Sequence, residues 1–74
     1  MEKVYTSNAL RAQIEFNKET ERRSFEALRI ALEEPGNAPY HLERLLAATN
    51  LCSDVLKARA KLEFELRKAI QAGR

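Results

Sequence analysis

A single break interrupts this chain. The run Glu34-Pro35-Gly36-Asn37-Ala38-Pro39 holds both prolines and one of the two glycines, and no further strong helix breaker follows until Gly73. Proline forces the preceding residue out of the helical region, glycine permits a positive φ, and a second proline suits the first turn of a new helix. The expected architecture is all-α, with a helix over 7–33, a turn over 34–38 and a helix over 39–72. The two arms form one antiparallel, coiled-coil-like hairpin that makes a single domain of residues 1–74.

A hairpin of this length is short of core. With 74 residues it buries only about 60% of the surface its unfolded chain exposes, and a core below roughly 70 to 80 residues rarely supplies more than ~3 to 5 kcal/mol. Cys52 is the only cysteine, which excludes an internal disulfide and a multi-cysteine zinc site and fits a reducing compartment. Completion of the fold by another chain, a heterologous partner or a second copy, is therefore expected. The 13 basic and 11 acidic residues leave a formal charge of +2 spread along both arms, so nucleic acid is not demanded. The first five residues lack an apolar signal-like region, and no apolar stretch approaches the roughly 18 residues of a membrane span. The expectation is a soluble, cytoplasmic protein with no membrane insertion.

In the first arm the N-cap falls on Thr6, Ser7 or Asn8, whose side-chain oxygens accept from free helical amides. Leu10, Ile14, Asn17, Glu21, Phe25, Leu28 and Leu32 then recur at helical spacing and, at about 100° per residue, share one stripe. The stripe turns polar inside the run Asn17 to Arg23, where pairs such as Glu19 with Arg22 or Arg23 support a solvated surface. The outer end of this arm is expected to be its loosest part. Glu33 and Glu34 oppose the helix dipole at its C-terminus, so Pro35 and Gly36 must end it sterically.

The second arm, capped by Asn37 or Ala38 with Pro39 in its first turn, runs without Gly or Pro to Ala72. Its core seam is centred on Leu45, Cys52, Leu56 and Ile70, flanked by Leu42 and Thr49 on one side and Ala48, Val55 and Leu66 on the other. Leu46 and Phe64, and on the opposite side Leu51, Leu62 and Ala69, lie beyond it. Over residues 42–56 the apolar positions span about 200° of circumference, more than one neighbouring helix covers. Farther on the seam turns polar at Arg59, Glu63 and Arg67. An antiparallel hairpin sets residues 17–21 opposite 55–59, so Glu21 is expected to meet Arg59.

No catalytic constellation is visible. His41 is the only histidine and has no companions at metal-ligand or acid-base spacing, Cys52 suits core packing, and there is no phosphate-binding glycine loop. No cofactor or metal is expected, and the chain is read as a binding protein rather than an enzyme.

The stretch from Phe25 through Gly36, followed by Tyr40-His41-Leu42-Glu43-Arg44-Leu45-Leu46-Ala47-Ala48 and Cys52-Ser53-Asp54-Val55-Leu56, resembles the small hairpin co-chaperones of type III secretion needle subunits. Those proteins place a Leu-x-x-Ala-Leu helix before a short turn, then an aromatic residue and a Leu-Leu-x-Ala-Leu-like run. The likeness covers about residues 24–57 and leaves 1–16 without a counterpart. It implies a bacterial cytoplasmic virulence protein paired with a larger tetratricopeptide-like chaperone, the two keeping a needle subunit monomeric until export. Leu42, Leu46, Leu51 and Val55 of the second arm, with Leu28 and Ile30 of the first, are the candidate contacts. The alternatives are an unrelated regulatory accessory protein and a homodimeric four-helix bundle that binds nucleic acid through Arg22, Arg23, Lys57, Arg59, Lys61, Arg67 and Lys68. Glu19, Glu21, Glu63 and Glu65, interleaved with these bases, weaken such a face.

Overall fold

The computed structural model describes residues 5–74, so the reading of residues 1–4 lies outside it. Two helices, α1 (Ser7–Glu33) and α2 (His41–Gln71), pack along their length as an antiparallel hairpin measuring 54 × 21 × 16 Å, with no strand among the described residues. Of the three candidate caps Thr6 is the one used: its hydroxyl accepts from the Ala9 amide at 3.2 Å. The outer end is also tied to the other terminus, because the Ser7 amide donates to the Arg74 carbonyl at 3.1 Å.

The turn is longer than expected and places its strain elsewhere. Glu34 is extended (φ −67°, ψ 146°), as a residue before proline must be, and ends α1. Two hydrogen-bonded turns follow, Ala38 amide to Pro35 carbonyl at 3.0 Å and His41 amide to Ala38 carbonyl at 3.1 Å. Pro39 thus serves the second turn instead of opening α2, which begins at His41 with Tyr40 as its cap. Tyr40 takes the left-handed conformation (φ 58°, ψ 23°), while Gly36 does not use a positive φ. Proline second and positive φ third is the type II pattern, and it explains why the helix starts two residues late.

The seam between the helices follows Leu10, Ile14, Asn17, Glu21, Ser24, Leu28 and Ala31 in α1. In α2 it follows Leu45, Ala48, Cys52, Val55, Arg59, Leu62, Leu66 and Ala69, each of these residues being buried or half-buried. Spacing alternates strictly between three and four, the heptad signature. This corrects the expected stripes. Phe25 and Leu32 lie outside on α1, their places taken by Ser24 and Ala31, and Leu56 and Ile70 lie outside on α2, where Leu62 and Ala69 are drawn in. A seam that keeps a 3.5-residue period drifts about 20° per heptad relative to a straight 3.6-residue helix. Over 27 and 31 residues that drift exchanges a residue for its neighbour. Small side chains at Ser24, Ala31, Ala48 and Cys52 also allow close approach, which large ones there would prevent.

The polar middle of each seam meets the other, as the antiparallel register requires. Arg59 Nη1 donates to Glu21 Oε1 at 2.9 Å, and Asn17 Nδ2 donates to Glu21 Oε2 at 2.9 Å and to the Val55 carbonyl at 3.0 Å. Both oxygens of the buried Glu21 carboxylate are therefore satisfied. Burial pushes this carboxyl's pKa up, but the bonds from Asn17 and Arg59 outweigh it and hold the value below 4.5. Ser24, the other buried polar residue, donates its hydroxyl to the Thr20 carbonyl at 2.8 Å.

Candidate protein-binding surface

The six candidate contacts do not share one surface. Val55 is 8% exposed and belongs to the seam, and Leu28 is half-buried there, so neither offers a free contact face. The seam drift noted above turns Val55 inward. The remaining four separate onto opposite flanks. Ile30 (51% exposed) and Leu51 (47%) lie on one side of the hairpin, and Leu42 (62%) and Leu46 (55%) on the other.

Ile30 and Leu51 border an apolar groove of about 390 Å³ lined also by Ala27, Ala31, Ala47 and Ala48. Its lining comes from both helices at their turn-proximal ends. The phase of the helices explains it: positions 27, 30 and 34 of α1 and 44, 47 and 51 of α2 flank the same side of an antiparallel seam. The four alanines of the lining, Ala27, Ala31, Ala47 and Ala48, leave room for a close approach, and the branched side chains of Ile30 and Leu51 add apolar flanks. Glu34 and Arg44 close the end nearest the turn with an ion pair. The hydrogen bond from Arg44 is the main cause that holds the Glu34 carboxyl below its ordinary range. His41 Nδ1 sits 3.7 Å from the same carboxylate, too far for a good hydrogen bond.

On the opposite flank Phe25 and Leu32 of α1 join Leu42, Leu46 and Leu56 of α2, all exposed. Helical spacing alone puts Phe25, Leu32 and Leu56 on the core-facing stripes, and only the heptad spacing of the small residues beside them corrects it. Farther from the turn the surface is charged and paired. Glu19 receives Arg22 Nε at 3.2 Å and lies 3.5 Å from Arg23 Nε, Arg59 Nε donates to Glu63 at 3.2 Å, and Lys68 stands 3.7 Å from Glu65. The bases considered for nucleic acid are thus partly neutralised by the carboxylates interleaved with them, and no observation favours that alternative.

Among the described residues no group of three or more His, Cys, Asp or Glu side chains is placed to hold a metal ion, and no helix is long and apolar enough to cross a membrane. Cys52 is buried in the seam. No protein-family model, no curated protein and no solved structure matches the chain.

Proposed function

We propose that this chain is a protein-binding hairpin and that an amphipathic helix of a partner lies in the groove bordered by Ile30 and Leu51. The observation that carries the reading is the groove itself: an alanine-lined trough between two packed helices, bordered by exposed branched side chains and closed by charge at one end. A helix laid in such a trough presents apolar anchors at i, i+3 and i+4, and burying them removes surface that the hairpin cannot cover alone.

The resemblance to needle-subunit co-chaperones narrows the partner. In that reading the hairpin works in the bacterial cytoplasm beside a larger tetratricopeptide-like chaperone, stabilising it and its needle subunit before export, and acts by binding rather than catalysis. What supports it is chemical fit, since a subunit that polymerises through an amphipathic helix needs that apolar face covered beforehand. Co-expression with such a chaperone and needle subunit tests it. A complex should co-purify with the parent chain and be lost with Ile30→Glu or Leu51→Glu, while the circular dichroism of each variant matches the parent. Absence of any complex with the parent chain overturns the co-chaperone reading, and a complex that survives both substitutions removes the groove from it.

A further inference from the structure

We propose that the flank opposite the groove, formed by Phe25, Leu32, Leu42, Leu46 and Leu56, is covered by a second copy of this chain, giving a symmetric four-helix dimer. It stands on different residues from the groove and holds whether or not the groove takes a partner helix.

Surface area argues first. The chain exposes 5795 Å², whereas a globular monomer of its 8.5 kDa exposes about 4,650 Å². The excess of about 1,100 Å² exceeds the roughly 800 Å² that each partner buries in a standard interface. The surface is large because the chain is elongated, with a radius of gyration of 16.5 Å where a compact chain of this length has about 11 Å. A two-copy interface of standard size draws on area that the elongated chain exposes in excess, and among the described residues no large side chain is fully buried within one hairpin.

Chemistry argues second. The flank is apolar from both helices at once, so a two-fold axis through it sets leucines against leucines, as an isologous contact requires. At its border Arg29 is paired with Glu26 and donates to both oxygens of Glu33 at 2.9 Å. Each copy thus brings a border cluster of one guanidinium and two carboxylates, so the apolar side chains and not the charges carry the contact. The apolar residues sit in the half near the turn, and Arg11, Lys18, Glu63 and Arg67 occupy the same flank beyond them. The copies accordingly overlap through their turn-proximal halves.

Sedimentation of the isolated chain from low to high micromolar concentration tests the proposal. The parent should reach twice 8.5 kDa, Leu46→Glu should remain at the monomer mass, and Ile30→Glu should dimerise like the parent. Should Leu46→Glu lose its helical signal, Leu46→Ala serves instead, with dimer dissociation raised about tenfold at unchanged helicity. A parent chain that stays monomeric at high concentration overturns the proposal, as does a dimer that Ile30→Glu abolishes and the Leu46 variants leave intact.

Discussion

Arg59 of α2 donates to Glu21 of α1 at 2.9 Å across the seam, joining residues 38 apart in the chain. Removing one member of a buried charged pair leaves the other without its partner, while replacing both by packed apolar groups is often neutral or stabilising. Glu21→Ala should therefore lower the melting temperature, because it takes the acceptor from Arg59 Nη1, leaving that guanidinium to Glu63, and removes one acceptor of Asn17. The triple change Asn17→Leu, Glu21→Leu, Arg59→Leu should raise it but broaden the amide spectrum, since a uniform apolar seam no longer fixes the register. Thermal melts with two-dimensional amide spectra check both. A triple variant less stable than Glu21→Ala would contradict the role given to this cluster.

Acid should weaken the hairpin through the same kind of group. The carboxyls of Glu21, Glu34, Glu19 and Glu26 are all held below their ordinary value of 4.5, Glu34 chiefly by Arg44, Glu19 by Arg22 and Glu26 by Arg29. The unfolded chain then takes up protons at higher pH than the folded one, so stability is fully present above pH 4.5 and is lost as pH falls through the lower folded values. Denaturant melts between neutral pH and strongly acid pH should show a plateau and then a decline. Glu21→Gln should make that decline shallower, and stability that rises on acidification would contradict the ion-pair assignments.

The turn offers two stabilising substitutions. Tyr40 holds φ at 58°, a conformation costing roughly 1 kcal/mol for a residue with a Cβ, and its side chain is exposed. Tyr40→Gly should raise the melting temperature by a few degrees, about 4 to 8 °C per kcal/mol in a domain of this size. Gly36 does not sit at positive φ, and a Cβ added there meets nothing within 4 Å. Gly36→Ala should stabilise by about 0.4 to 1 kcal/mol through the unfolded state. Differential calorimetry distinguishes these gains from no effect, and a loss at either position would contradict the turn geometry.

Cys52 reports on the seam. Its thiol is buried, so a thiol reagent should modify it slowly in the native hairpin and rapidly in denaturant. Native labelling as fast as that of the unfolded chain would place the residue on the surface instead.

The hairpin itself was legible in the sequence because two prolines in six residues leave only one place to turn. The pairing of Glu21 with Arg59 was legible because the wet middles of the two arms fall opposite each other. Phe25, Leu32, Leu56 and Ile70 were misplaced because large apolar residues attract the core assignment, whereas this seam is built on its small neighbours Ser24, Ala31 and Ala69. The two-residue delay of α2 was hidden because Pro39 suits both a helix start and the second place of a turn, and only the backbone of Tyr40 decides between them. The excess of apolar circumference near the turn was readable. Its division into a groove and an opposite flank needed the register.

Far-UV circular dichroism of the adjacent variants Leu45→Asp and Leu46→Asp tests most directly the claim that one face of α2 holds its own hairpin and the next meets another chain. Leu45 is half-buried in the seam, where an unpartnered carboxylate costs several kcal/mol against a total of only a few, while Leu46 points outward. The helical signal should collapse in Leu45→Asp and persist in Leu46→Asp. Equal collapse in both would contradict the account.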